Sequence, residues 1–267
     1  MPELPEVESV RKSLTSVLIG QKLIKFKILD KRIGRFNSRT PVLGSKLISI
    51  NRKGKVIFLD FLSFSIAIHL GMTGRVMLNA KPNKFTHVIL DFEKDKVNYQ
   101  DVRKFGFIKV VNKIELKQYL LNLGPDSLNL KYLEKLEIIE NSKRKKQNIK
   151  KFLLDQKNIS GIGNIYCNEI LYLSKIHPDT KVSNMSENEW KIIFINTKKV
   201  LNSAIKNNGT TLEDLSYFLP NGEYGKNQNF LKIYQKDKCN FCKSKVDKIY
   251  IDKRATYICG KCQKLIN

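Results

Sequence analysis

Two pairs of cysteines near the C-terminus have the spacing of a metal site. Cys239 and Cys242 form one C-x2-C, Cys259 and Cys262 form another, and 16 residues separate the pairs. This spacing falls in the zinc-ribbon range. Each pair can turn tightly enough to offer two thiolates to one ion. Four thiolates close a tetrahedron around Zn2+ and leave no position for water, so one structural zinc per chain is expected. Two redox dithiols are the alternative, but such motifs seldom come as matched pairs at ribbon spacing. The fifth cysteine, Cys167, lies on an expected helix and reads as a small buried residue.

The first eight residues, MPELPEVE, are the other chemically dense stretch, with Pro2 and Pro5 among Glu3, Glu6 and Glu8. One reading is a helix start, because proline fits the first turn and acids favour the positive end of the helix dipole. The other is an N-terminal arm built for chemistry, and the local pattern does not choose between them. A third candidate is NISGIGN, residues 158–164. Gly161 and Gly163 allow a sharp turn and close approach, and Asn164 opens a helix whose free N–H groups favour an anion. Many helix pairs turn on glycines without binding anything, but the overall charge favours a phosphate.

That charge is +24, from 49 Lys and Arg against 25 Asp and Glu in 267 residues. Such an excess points to a polyanionic partner. No apolar run reaches the roughly 18–20 residues of a membrane span, and no signal-peptide core is present. Clustered, odd-numbered cysteines argue against a secreted disulfide framework. A soluble cytoplasmic protein with no membrane partner is expected.

The elements that must position these residues fall into three parts. Apolar residues at Val7, Val10, Leu14, Val17 and Leu18 have helical spacing. Eight short Ile-, Val- and Phe-rich runs follow before Leu116, the pattern of a sandwich or barrel. Gly-Pro in LNLGPDSLNL marks a boundary, after which the chain turns helical. Ser186 with Glu189 forms a capping box ahead of a stripe of Trp190, Ile193, Phe194, Leu201 and Ile205. Thr210 with Glu213 repeats that cap logic, and residues 220–229 read as a loop. The reading is α+β with two domains: residues 1–122 one helix plus an all-β body, sandwich or barrel, and residues 123–230 a helical part. Residues 231–267 complete the second domain as a zinc-finger hairpin with a basic tip at Lys253 and Arg254.

Taken in order, PELPEVE, NRKGK, HLGMTGR, DVRKFG, LGPDSL, LLDQKNISGIGNIYCNEIL, NNGTTLEDL and RATYICGKCQK resemble the bacterial formamidopyrimidine-DNA glycosylases over nearly the whole chain. Leucine in PELPEV separates it from the sister endonuclease VIII group, where glycine is typical. The resemblance implies that residues 1–122 are a catalytic β-sandwich with an N-terminal helix, and that the second domain holds a DNA-binding helix–two-turn–helix within residues 123–230 and a zinc hairpin. It also implies a bifunctional glycosylase and AP lyase of base excision repair that removes oxidised purines such as 8-oxoguanine and formamidopyrimidines. Its partner is damaged double-stranded DNA, and it is a monomer associated with the bacterial nucleoid.

In the family, removal of Met1 leaves Pro2 as the N-terminus. An α-amine titrates near pH 8, far below lysine, so a useful fraction is an unprotonated nucleophile at neutral pH. Attack on the sugar C1′ displaces the base and forms a Schiff base, from which β,δ-elimination breaks the strand. Glu3 is then the acid/base group, and Glu6 a residue that orients the terminus. Lys55 matches a lysine that contacts phosphate and assists elimination, and His69 and Asn164 match further phosphate contacts. Arg254 matches the arginine that grips phosphates at the lesion, grouped here with Pro2, Glu3 and Lys55 as catalytic. Met72, Arg103 and Phe105 match residues that fill the space left by the extruded base. Lys145 and Lys150 match further DNA contacts, and residues 217–229 the loop that closes over 8-oxoguanine.

The chain departs from the family pattern at Val102 and Lys104, where DPRRFG is usual, at Phe85 for a histidine, and at Ser160. Endonuclease VIII-like action on oxidised pyrimidines is the alternative enzyme. A non-catalytic zinc-ribbon DNA-binding protein is the alternative of another class.

Overall fold

The computed structural model describes residues 2–35, 42–213 and 217–266. The chain forms two compact units, one of residues 1–122 with 204–228 and one of residues 123–203 with 229–267.

The first unit opens with helix α1, Leu4–Leu18. Its stripe of Val7, Val10, Leu14 and Leu18 is buried, as the helical spacing requires. Among the described residues, nine strands then build two sheets. In one, β1 (Leu23–Ile28), β7 (Thr86–Phe92), β8 (Lys96–Asp101) and β6 (Gly74–Leu78) lie side by side. In the other the order is β2 (Gly34–Arg35), β9 (Phe107–Asn112), β5 (Phe64–His69), β4 (Val56–Asp60) and β3 (Ser49–Lys53). Among the described strands of these sheets, only β2 runs parallel to its neighbour. Ile66, Ile68 and Ile108 of one sheet share a core with Val76, Val88, Leu90 and Val97 of the other and with α1. This is a β-sandwich with the N-terminal helix packed into it. Helix α2 (Lys113–Leu121), capped by Asn112, covers part of the outer face of the second sheet.

Residues 204–228 follow the helical part in sequence yet pack with this first unit. Thr210, Thr211, Leu212 and Glu213 are not helical, and residues 214–216 of the stretch with the expected cap lie outside the described ones. The Thr210 N–H is instead taken by the Glu6 carboxylate at 2.7 Å. The following loop is pinned as well: Thr211 Oγ1 accepts the Gly225 N–H at 2.9 Å, and Asn227 Nδ2 donates to Thr210 Oγ1 at 3.0 Å.

The second unit contains α3 (Tyr132–Lys143), α4 (Ile149–Leu154), α5 (Asn164–Leu173) and most of α6 (Glu187–Lys206). The expected capping box starts α6, with the Ser186 N–H donating to Glu189 Oε2 at 2.6 Å. Trp190 is fully buried and meets Phe152 of α4 edge to face at 5.4 Å. Between α4 and α5 the chain makes the two-turn connection. Gln156 holds it, donating from Nε2 to Leu154 O and Ile162 O and accepting the Gly161 N–H on Oε1. A hairpin of β10 (Asp247–Ile251) and β11 (Arg254–Ile258) ends the unit. Its turn falls on Asp252 and Lys253, both at positive φ, so Arg254 is the first residue of β11.

Candidate nucleic-acid interface and metal centre

At the start of α1, Pro2 is buried, and Glu3 and Glu6 are each only 1% exposed. Two buried carboxylates need donors, because an unpartnered buried charge is costly. The Glu6 carboxylate accepts the Glu3 N–H on Oε2 at 2.8 Å and the Thr210 N–H on Oε1 at 2.7 Å. The Tyr217 hydroxyl braces the same segment, donating to Asn208 O at 3.0 Å. The segment comes so close that a Cβ on Gly209, itself at φ +79°, would lie 2.8 Å from Glu6 Oε1. Glu6 therefore fixes the backbone of Glu3, a role that spacing alone does not reveal. Burial pushes the Glu8 carboxyl up, but Arg11 and Arg52 outweigh it and hold the group below its ordinary value. Arg11 Nη2 lies 2.7 Å from Glu8 Oε1, and Arg52 Nε 3.0 Å from Oε2.

Lys55 and His69 come together at one end of the second sheet, because Val56 pairs with His69 across β4 and β5. Burial lowers the His69 pKa to about 4, and the nearby Lys55 charge adds to it. The imidazole is thus neutral at pH 7. Its Nδ1 accepts the Gly71 N–H at 3.3 Å, which leaves the proton on Nε2. The site therefore offers one neutral donor beside one cation. A histidine kept neutral in the fold titrates near pH 6.5 once unfolded. Its contribution to stability is present above pH 6.5 and is lost as the pH falls towards 4. His69→Gln should flatten the decline in Tm between pH 6.5 and 4.5, as read by calorimetry.

Met72, Arg103 and Phe105 sit on two loops joined by a buried carboxylate. Asp101, 0% exposed, accepts the Thr73 hydroxyl on Oδ1 at 2.6 Å, the Arg103 N–H at 3.2 Å, and the Gly106 N–H on Oδ2 at 2.8 Å. Gly106 must lack a side chain, since a Cβ there would sit 1.8 Å from the Tyr99 hydroxyl oxygen. The result is a rigid mount for an exposed aromatic ring: Phe105 is 56% exposed, with the Arg103 guanidinium 4.8 Å from its centroid. The expected positions are brought together, and Asp101 and Thr73 are the residues that spacing did not single out. Lys104, at φ +56°, pairs with Asp30 at 2.9 Å. Asp101→Ala orphans three donors, each costing about 1–3 kcal/mol when left unmet in a buried site. A stability loss of several kcal/mol is expected in urea titration.

In the second unit, Asn164 and Lys150 both reach the residue after Arg254. Asn164 Nδ2 donates to Ala255 O at 3.0 Å, and Lys150 Nζ to Ala255 O at 3.2 Å and Thr256 Oγ1 at 2.6 Å. Asn168 Oδ1 accepts the Tyr257 N–H at 2.7 Å. The start of α5 and the hairpin are thereby one assembly that presents the exposed Arg254. Lys150 is 1% exposed, so its ammonium acts here inside the protein. Lys145 donates to Asn158 Oδ1 and lies 5.2 Å from the Phe152 ring centroid. Glu169, which sequence reasoning passed over, accepts the N–H groups of Lys232, Ile233 and Tyr234 and so sets the path into the cysteine region.

The Sγ atoms of Cys239, Cys242, Cys259 and Cys262 all lie within 4.8 Å of one another. Cys242 and Cys259 are 3.4 Å apart, Cys239 and Cys262 3.8 Å. Four ligands at ~2.3 Å from a tetrahedral centre would be ~3.8 Å apart, so the donor set fits one metal ion. The Tyr172 hydroxyl lies 3.1 Å from Cys239 Sγ and accepts the Phe241 N–H, which orients one ligand from outside the cluster. No helix among the described residues is long and apolar enough to cross a membrane.

Comparison with known proteins agrees with both units. Residues 1–108 match the formamidopyrimidine-DNA glycosylase N-terminal domain, and residues 123–216 the formamidopyrimidine-DNA glycosylase H2TH domain. Formamidopyrimidine-DNA glycosylases of Listeria monocytogenes and Mycoplasma pneumoniae are 33% and 34% identical, over 99% and 98% of this chain and 100% and 99% of theirs. The wild-type Lactococcus lactis Fpg, solved with DNA containing N7-benzyl-Fapy-dG, superposes with a TM-score of 0.88 at 30% identity, covering 98% of this chain and 100% of that one. Family models over most of the chain, full-length relatives and the shared fold lead to one conclusion: the chain belongs to the formamidopyrimidine-DNA glycosylase family.

Proposed function

We propose that this protein excises oxidised purines from duplex DNA and cleaves the strand, with Pro2 as nucleophile and Glu3 as acid/base group. The observation that carries this reading is the buried N-terminus, where Glu6 fixes Glu3 beside Pro2. The Pro2 amine, exposed by removal of Met1, attacks C1′ and the bond to the base breaks. The C1′–O4′ bond then opens as O4′ takes a proton, which leaves a cationic iminium on the secondary amine and makes the neighbouring C2′–H acidic. Successive eliminations then expel the 3′ and 5′ phosphates. Glu3 moves the protons these steps require, Lys55 assists the elimination, and Arg254 grips the phosphates at the lesion.

His69, Asn164 and Lys145 contribute further DNA contacts, and Met72, Arg103 and Phe105 fill the vacated stack. Lys150 acts through the hairpin that carries Arg254. One zinc ion, held by Cys239, Cys242, Cys259 and Cys262, supplies rigidity to that hairpin. The enzyme works as a monomer in the bacterial cytoplasm, on the DNA of the nucleoid.

Borohydride reduction during turnover tests the chemistry. Protein beginning at Pro2 should become covalently linked to a duplex holding 8-oxoguanine opposite cytosine. Protein retaining Met1, confirmed by mass spectrometry, should not, and efficient trapping by that form would refute the assignment of Pro2.

A further inference from the structure

A second concave site lies on the outer face of the five-stranded sheet. β2, β9 and β5 run side by side, with Arg35 opposite Lys109 and Lys109 opposite Ala67. Side chains alternate along a strand, so Phe107, Lys109 and Val111 share the face on which Arg35 stands. Helix α2 covers only part of this face. What it leaves is a cavity of about 500 Å³ whose lining includes Phe105, Phe107, Tyr119, Lys104, Arg35 and Lys109. Phe107 and Tyr119 meet edge to face at 6.4 Å. No acidic residue is among the described residues that line it. Lys104 and the neighbouring Arg32 are both held by Asp30. Arg35 and Lys109 form no ion pair among the described residues.

We infer that this groove binds one unpaired nucleotide of a DNA strand, its base against Phe107 and Tyr119 and its phosphate on Arg35 and Lys109. A cationic groove with an aromatic floor is the general solution for single-stranded nucleic acid, because every base has a face to stack and every nucleotide a phosphate. The volume lies in the range of sites for small organic ligands, about 300–1,000 Å³. Continuity supports a strand as the source: Phe105, on the loop assigned to the vacated stack, also forms one wall. A nucleotide unstacked beside Phe105 would thus find a surface adjoining the place where pairing is broken. The inference rests on the reading of the chain as a DNA repair enzyme.

The test measures a fluorescent hexathymidylate by anisotropy and, in parallel, borohydride trapping on the damaged duplex. Lys109→Glu and Arg35→Glu should each weaken hexathymidylate binding at least tenfold and change trapping less than twofold. The milder Lys109→Gln should make the salt dependence of oligonucleotide binding shallower by about 0.7 in log–log slope. Thymidine 5′-monophosphate competing at millimolar concentration would identify a free nucleotide as sufficient. Failure to compete would identify the strand, and either outcome supports the site. Unchanged hexathymidylate affinity in both Glu variants would overturn it. So would trapping that falls in the same proportion, since the groove would then belong to the duplex track. Loss of trapping by the unmodified protein with oligonucleotide binding intact would refute the proposed reaction and leave the groove standing.

Discussion

Glu3→Gln is expected to cut excision of 8-oxoguanine by about 10²–10⁴-fold, the usual range for losing a placed general acid or base. Damaged duplex should still bind. The substitution keeps the shape of a side chain that is 1% exposed, so the fold should survive and the effect can be read as chemistry. Pro2→Gly should lower covalent trapping further, since the Schiff base of a primary amine can lose its N–H proton and become a neutral, weaker electron sink, whereas that of proline stays cationic. Glu6 separates positioning from chemistry. Its two carboxylate oxygens each accept one backbone N–H, from Glu3 and from Thr210. Glu6→Gln retains only one acceptor oxygen, so one of those donors is left facing an amide. A smaller loss than in Glu3→Gln is expected, with an unshifted pH–rate profile. Single-turnover kinetics over a pH series distinguish the two. A Glu3→Gln enzyme with undiminished excision would remove Glu3 from the mechanism.

Metal removal should have the other large effect. Structural zinc contributes on the order of 10–16 kcal/mol of apparent folding free energy in isolated fingers. The hairpin here has only a small core of its own, in which Cys239 and Cys259 are themselves buried beside Tyr172 and Ile233. Cys259→Ser or exhaustive chelation should therefore unfold residues 239–262 and release Ala255 and Thr256 from Asn164 and Lys150, so that Arg254 loses its mount. DNA affinity should fall at least tenfold, with a shallower salt slope because a cation no longer reaches phosphate. The β-sandwich should stay folded, with its own thermal transition retained. One metal ion per chain by elemental analysis, and its loss together with DNA binding, would establish the link. Full DNA affinity in metal-free protein would sink it.

The sequence alone determined what is local. The cysteine spacing specified a four-thiolate cluster, because two tight turns bring each pair to one ion whatever lies between. Helical spacing located α1, and Ser186 with Glu189 located the start of α6, because caps and amphipathic stripes are decided within a few residues. Alternating strands separated by turns announced a sandwich or a barrel, and only the resemblance favoured the sandwich. Helix α2 was not legible, since none of its residues is fully buried and it therefore lacks a strong apolar period. Its only local signal was Asn112 capping Glu115.

Tertiary structure decided the rest. Thr210 looked like a cap but gives its N–H to Glu6, 204 residues away, whose buried carboxylate needs a donor. That bond, the burial of Tyr217 in the core of the sandwich and the Leu78 N–H donated to Pro220 O hold residues 204–228 to the first unit. Asp101 read as one acid of a motif, and only the fold shows it gathering donors from two loops. Lys150 matched a DNA contact by resemblance, and the approach of β11 buries its ammonium against Thr256. The types of the reactive groups are written in the sequence. Which of them face solvent, and which are spent holding others in place, depends on contacts between distant segments that no local pattern encodes.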